Sequence, residues 1–452
     1  MDDLTDTTAE QPAAAPPRHG LAQLARGKLL ERLRSAREDS APRPHAAPRP
    51  ARRVPEALCR FDTLPAYERL QVSQAAARRL GVDNPFFRLH DARAGATTRI
   101  GGREYINFSS YDYLGLNGHP RIAAAVHEAV VRYGTSASAS RLVAGERPIQ
   151  RELEQALADV YGTEAAVVFV SGHATNVSTI AALFGPKDLI VHDALAHNSI
   201  VEGAKLSGAH RRRFAHNDPQ ALDELLSTIR GDFERVLVVI EGLYSMDGDT
   251  PDLARFVDIK RRHQAFLMVD EAHALGTLGA TGRGIAEHCG VPAADIDIWM
   301  GTLSKTLASC GGYVAGSHVL VDLLKYTAPG FVYSVGIPPA QAAAALEALH
   351  IMQDEPERVA QLQDNGRLFL AEAKARGIDT GLAQGHAVSA AIIGSSLKAT
   401  KLSNLLFERG INAQPIIHPA VEEKAARLRF FLSADHPPES LLGALDRLAR
   451  AL

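Results

Sequence analysis

Cysteine is scarce in this chain, and the three present, Cys59, Cys289 and Cys310, stand far apart and form no C-x-x-C pair. Neither a disulfide framework nor a thiolate zinc site is therefore expected, no metal is assigned, and a reducing cytoplasm is the expected setting. A surplus of one charge is also missing: 49 basic residues face 52 acidic ones, for a formal net charge of −3. With no broad basic footprint and no nucleic-acid-binding motif, nucleic acid is not an expected partner. No apolar run approaches the ~20 residues of a membrane-spanning helix, and the opening Met1-Asp2-Asp3-Leu4-Thr5-Asp6 is acidic where a secretory leader is basic. Neither a transmembrane segment nor export is expected. Internal repeats and the Asp-Ser-Leu motif of a carrier protein are absent as well.

What is present is enough for a large core: 452 residues, 46% of them hydrophobic, which favours more than one lobe. The first sixty residues differ from the rest. Ala and Pro crowd Gln11 to Pro17 and Ser40 to Pro55, and between them Leu21, Leu24, Leu30 and Leu33 line one face of a short Arg-rich helix. Residues 1–60 read as an extension of linker, helix and linker that cannot build a core of its own. Docking of another protein is the alternative. Residues 61–110 form an N-terminal segment leading into a domain over 111–337, in which helical runs such as Pro120 to Tyr133 and Ile149 to Tyr161 alternate with short apolar strands.

Those strands are Ala165 to Val170, Leu189 to His192, Val236 to Ile240, Phe266 to Val269, Ile296 to Met300 and Gly312 to Ala315. Uninterrupted apolar strands separated by helices predict an α/β domain with a mainly parallel sheet. Polar residues sit at or just after the strand ends: Ser171-Gly172-His173, Glu241-Gly242, Asp270-Glu271 and Gly301-Thr302. Ligands of open α/β sheets bind at those carboxyl ends. From 338 to 452 the chain reads as a smaller α+β domain, helical to about Ala375, strand-like at Ala387 to Ile393 and Arg427 to Leu432, helical at Lys401 to Arg409.

Within this frame one pairing carries chemistry. Lys305 lies among small polar residues in Gly301-Thr302-Leu303-Ser304-Lys305-Thr306-Leu307, some thirty residues after Asp270, which ends an apolar run. A pyridoxal phosphate enzyme needs such a lysine to hold the cofactor as a Schiff base, and such an aspartate to keep the pyridine nitrogen protonated. By itself the pair fits many reaction classes.

A longer ordered series narrows the choice. Asn107-Phe108-Ser109-Ser110-Tyr111-Asp112-Tyr113-Leu114-Gly115-Leu116, Ser138-Ala139-Ser140-Arg141-Leu142-Val143-Ala144-Gly145, Glu241-Gly242-Leu243-Tyr244-Ser245-Met246-Asp247-Gly248-Asp249, Asp270-Glu271-Ala272-His273, Thr302-Leu303-Ser304-Lys305 and Arg427-Leu428-Arg429 follow one another. From about Phe61 to Leu452 the chain resembles the α-oxoamine synthases, fold-type I pyridoxal phosphate transferases that condense an amino acid with an acyl thioester and lose CO2. The resemblance implies that Lys305 binds the cofactor and removes the substrate α-proton, that Asp270 meets the pyridinium nitrogen, and that His197 stacks on the ring. It gives His273 and Ser245 the phenolic oxygen, with His273 also polarising the thioester carbonyl. Ser171, Gly172 and Thr302 go to the phosphate, with His173 beside the ring where the family carries an aromatic residue. Ser334 reaches the phosphate from a neighbouring subunit, which implies a homodimer with shared active sites, although Val335 replaces a usual threonine. Arg429 binds the substrate carboxylate through its planar fork, while Arg427 and His192 read as structural. Gln150, where the family commonly has histidine, is expected to matter little.

The expected reaction joins glycine, alanine or serine to an acyl group carried by coenzyme A or by an acyl carrier protein. The blocks at Ser109 to Tyr113 and Ala413 to Val421 look more like serine palmitoyltransferase and polyketide-linked synthases than like the heme or biotin enzymes, and docking a carrier is a use for the N-terminal helix. An aminotransferase or lyase of the same fold would share Lys305 and Asp270 without needing the Glu241 to Asp249 block. A catalytically silent partner subunit would lack the lysine.

Overall fold

A computed structural model describes residues 54–452; the expected helix through Leu21 to Leu33 and the linker at Gln11 to Pro17 lie outside the described residues. Residues 54–76 hold two single turns, Glu56–Cys59 and Phe61–Thr63, and most of the helix Pro65–Arg79, which buries none of its side chains. Residues 77–452 form the other unit. It begins with an antiparallel hairpin, β1 (Thr97–Ile100) and β2 (Arg103–Asn107).

The central sheet contains β3 (Ala165–Phe169), β4 (Leu189–Asp193), β5 (His210–Phe214), β6 (Val236–Glu241), β7 (Phe266–Asp270), β8 (Ile298–Thr302) and β9 (Gly312–Gly316). Their order is β3-β9-β8-β7-β6-β4-β5, and β9 alone runs antiparallel to its neighbours, so the expected mainly parallel sheet is present. All six residues of β6 are buried, because helices cover both faces of such a sheet. Two apolar layers result. One holds Val238, Ile240, Leu267, Val269 and Trp299, and the other holds Val239, Met268, Ile298 and Met300 from the alternate positions of the same strands.

The edge strand β5 departs from the sequence reading, which has no strand there. His210, Arg211, Arg212 and Arg213 are exposed and only Phe214 is buried, so β5 lacks an apolar signal and forms by pairing with β4. Elsewhere local chemistry sets the boundaries. Pro120 opens its helix at the first position and Gly134, at φ 78°, ends it; Gly208, at φ 73°, ends Asn198–Ser207.

A second sheet is made of β10 (Val388–Ile392), β12 (Gln414–Ile416) and β13 (Arg427–Phe431), in the order β10-β13-β12, all antiparallel. The short β11 (Ile411–Asn412) leaves this region and pairs with β2. The helix Pro339–Asp354 packs against Pro120–Tyr133 and Pro148–Tyr161. The family-specific block Tyr244 to Asp249 folds as a turn, with Gly248 N–H bonded to Tyr244 O and Tyr244 N–H to Asp249 O. That turn fastens the second sheet to the first: Arg427 donates to Met246 O (2.9 Å) and pairs with Asp247 (2.5 Å), and Gly248 lies so close to Val388 O that a Cβ would stand 2.1 Å from it.

Candidate active site

The carboxyl ends of the parallel strands surround a cavity of about 250 Å³. Ser171, Gly172, His173, His197, Ser245, Asp270, His273, Thr302 and Lys305 all line it, together with Asn176, Ser199 and Glu241, to which the sequence reading gives no role. Asp270 is the last residue of β7, in register with Glu241 at the end of β6. Both Asp270 oxygens accept hydrogen bonds, Oδ2 from Asn176 Nδ2 at 2.8 Å and Oδ1 from Ala272 N–H at 3.0 Å, which fixes the carboxylate plane. His197 caps the helix Asn198–Ser207; its backbone N–H donates to Glu241 Oε1 at 2.7 Å and its Nδ1 meets Ser199 Oγ at 2.7 Å.

Ser171 caps the helix Gly172–Leu183, accepting from Ala174 N–H through Oγ at 3.1 Å, so the hydroxyl proton remains free. The Thr302 hydroxyl donates to Gly311 O (2.9 Å) and accepts from Ser304 N–H (3.2 Å). A Cβ on Gly172 would come within 3.0 Å of Thr302 Oγ1. Glycine thus keeps a helix N-terminus open beside a hydroxyl, a combination suited to an anion. Across the cavity Lys305 Nζ stands 5.5 Å from the centroid of the Tyr111 ring. Tyr113 OH lies 2.6 Å from His273 Nδ1, and both residues are buried.

Burial dominates the electrostatics. It pushes the Lys305 amine down to about 8, against the opposing pull of Asp270 and Glu241. His273 is held well below the ordinary imidazole range by burial, then by the charges of Lys305 and Arg429. His197 is lowered by burial, which outweighs the attraction of Asp270. Glu241 is raised to about 8 by burial and then by Asp270. Near neutral pH the site therefore offers two neutral imidazoles, with the Glu241 carboxyl and the Lys305 amine both close to their titration points.

Arg429 stands beside this group: its Nη1 donates to Ser245 O at 3.1 Å, and its guanidinium carbon lies 4.4 Å from the centre of the Phe431 ring. Ser334 is half-buried and bonds only to its own neighbour, donating to Val335 O at 3.3 Å; it is not among the residues lining the cavity. Arg427 is tied up in the Asp247 contact, His192 bonds to Asp193 O (2.7 Å), and Gln150 is buried, donating to Ile337 O (2.8 Å).

Residues 103–448 match the model of the family described as aminotransferase class I and II. A putative 8-amino-7-oxononanoate synthase of Desulforudis audaxviator is 40% identical over 85% of this chain and 98% of its own length. Among solved structures, serine palmitoyltransferase of Sphingomonas wittichii superimposes with a TM-score of 0.82 at 31% identity, over 86% of this chain and 98% of that one. A second structure, described as SPT with its PLP internal aldimine, gives 0.82 at 29% identity over the same shares.

The chain belongs to the aminotransferase class I and II family, among its α-oxoamine synthases.

As a member it is a pyridoxal phosphate enzyme, and the cavity suits that group. The space that Gly172 preserves next to Thr302 and the helix N-terminus matches a phosphate. The fixed Asp270 carboxylate matches a ring nitrogen, and Asn176 Oδ1, buried with no hydrogen-bond partner, marks the same wall as polar. Asn176 and Ser199 escaped the sequence reading because a buried amide and a buried hydroxyl inside helices carry no periodic signal. Their one clue is spacing: Asn176 lies one helical turn beyond Gly172, and Ser199 two residues after His197.

Proposed function

We propose that this α-oxoamine synthase joins a small α-amino acid, glycine, alanine or serine, to an acyl thioester. A carbon–carbon bond forms between the amino acid Cα and the acyl carbon, the carbon–sulfur bond breaks to release thiol, and CO2 leaves to give an α-amino ketone. Pyridoxal phosphate, when bound, supplies the electron sink that makes a carbanion accessible.

The residues of the chain do the rest. Asp270 holds the ring nitrogen protonated, His197 covers the ring face, and His273 and Ser245 bind the phenolic oxygen. Ser171, the N–H groups opened by Gly172, and Thr302 hold the phosphate; Thr302 does so by turning its proton away from Gly311 O. His173 flanks the ring. Arg429 takes the substrate carboxylate and aims the Cα–H bond at Lys305. Lys305 Nζ accepts that proton and returns one after CO2 is lost, a task for which an amine near 8 suits neutral pH. His273 polarises the acyl carbonyl.

The observation that carries this reading is the single cavity that gathers Lys305, Asp270, His197 and His273, with Arg429 fixed to Ser245 O at its side. The test is to supply the holoenzyme with each amino acid and with coenzyme A-bound or carrier-bound acyl thioesters. Release of free thiol and CO2 in equal amounts supports it; formation of a keto acid without thiol release indicates an aminotransferase instead.

A homodimer is inferred, with Ser334 of each copy completing the other's phosphate site. The exposure of Tyr333 and Val335 beside Ser334, and of Leu142 and Val143, supports it. The dispersed cysteines favour the cytoplasm; among the described residues no helix is long and apolar enough to cross a membrane. An acyl carrier protein as donor, docked on residues 1–55, is tested by deleting them. Selectivity for carrier-bound over coenzyme A-bound donor should then fall, and unchanged selectivity would refute the docking role.

A further inference from the structure

Along the cavity wall a buried hydrogen-bonded chain connects His197 and Asp270, two side chains to which the proposed function gives different contacts with the cofactor. Asn176 lies on Gly172–Leu183 and Ser199 on Asn198–Ser207, and these two helices pack together. Gly203 permits the close approach, since a Cβ there would stand 3.0 Å from Asn176 O. Asn176 Nδ2 donates to Asp270 Oδ2 at 2.8 Å and to Ser199 Oγ at 2.9 Å, and Ser199 Oγ lies 2.7 Å from His197 Nδ1. Asn176 is 1% exposed and Ser199 is wholly buried, so water does not compete for these bonds.

The proton direction along this chain follows from counting donors. An amide nitrogen has two protons, and both are committed. The reversed amide would place Oδ1 against the Asp270 carboxylate, so the orientation has no alternative. Ser199 Oγ accepts one of those protons and has one of its own, for which His197 Nδ1 is the acceptor within reach. His197 Nδ1 also accepts the Ser199 backbone N–H at 3.3 Å. It therefore carries no proton, and the imidazole proton sits on Nε2.

We propose that Asn176 and Ser199 are positioning residues that lock His197 in its Nε2–H form and hold the Asp270 carboxylate, so that the ring-face and ring-nitrogen contacts of the cofactor are set by one relay. The inference rests on the cofactor roles given above to His197 and Asp270. The relay explains why two neutral polar groups are buried here. Asn176 restrains the carboxylate without adding charge beside it, and Ser199 passes that restraint to a histidine two residues earlier.

The test uses the holoenzyme with 15N-labelled histidine, the His197 signal being assigned by its loss in His197→Gln. Wild type should show the Nε2–H tautomer. Ser199→Ala, which only removes an oxygen, should shift the signal toward a mixture of tautomers and weaken pyridoxal phosphate binding roughly two- to tenfold. Asn176→Ala should weaken binding further, because Asp270 loses a donor as well. The double variant should add little to the tautomer change of Asn176→Ala alone, since both residues serve one chain. Thermal unfolding of the cofactor-free variants verifies that each is folded. A Ser199→Ala enzyme with the wild-type tautomer signature and unchanged cofactor affinity overturns the relay while leaving the reaction reading intact. A wild-type chain that takes up no pyridoxal phosphate on Lys305 overturns both.

Discussion

Lys305 shows how far one residue's surroundings decide its chemistry. An exposed lysine amine titrates near 10.5, and burial brings this one down to about 8. The free amine is the form that captures the cofactor's aldehyde. Cofactor-free protein mixed with pyridoxal phosphate should therefore bind it faster as pH rises, with a midpoint near 8, read from the change in the cofactor's visible absorbance. A midpoint above 10 would mean that Nζ is solvated. Lys305→Ala should abolish both borohydride-fixed cofactor and turnover. His216 makes a different use of burial. Burial alone would lower it, but its two ring nitrogens face Asp193 (2.9 Å) and Asp249 (3.1 Å), and these contacts together outweigh burial and raise it to about 10. Because the folded value lies above the unfolded one near 6.5, the stabilisation is complete below about pH 6.5 and is lost as pH climbs toward 10. His216→Gln should cost about 3 kcal/mol at pH 6, and less at pH 9, by denaturant titration. Sequence spacing exposes Lys305, Asp270 and His273, whose neighbours are distinctive. It gives no warning of His216, whose partners lie 23 and 33 residues away.

At the scale of elements, apolar content decides what the sequence reveals. β6 and β7, buried on nearly every residue, are legible as strands, and their polar ends mark the cavity in the sequence alone. β5 is hidden by its three arginines, and β1 and β2 by their mixed, half-exposed patterns. The Glu241 to Asp249 block is legible as a motif, but its purpose is not. The structure supplies it: this turn binds the second sheet through Arg427 and presents its Ser245 carbonyl to Arg429. Gly248 should be intolerant of substitution, since it combines φ 78° with the close approach to Val388 O. Gly248→Ala should destabilise the fold by roughly 2 kcal/mol or more, measured by chemical denaturation, and should raise the Michaelis constant for the amino acid because Arg429 loses its support.

For the whole molecule, the proposed sharing of sites between copies gives a clean genetic test. Lys305→Ala and Ser334→Ala homodimers should each be impaired, the first completely. If each site takes Lys305 from one copy and Ser334 from the other, mixed dimers form one site carrying both lesions and one carrying neither. Mixing the two variants should then restore activity toward about a quarter of wild type by random pairing, and no recovery would mean that Ser334 serves its own chain. The central claim, however, is the carbon–carbon condensation itself, and it is tested most directly by single-vessel stoichiometry. Holoenzyme given 1-13C-labelled amino acid and an acyl thioester should release one labelled CO2 and one thiol for every α-amino ketone formed. Ketone that retains the label, or thiol released without ketone, would contradict it.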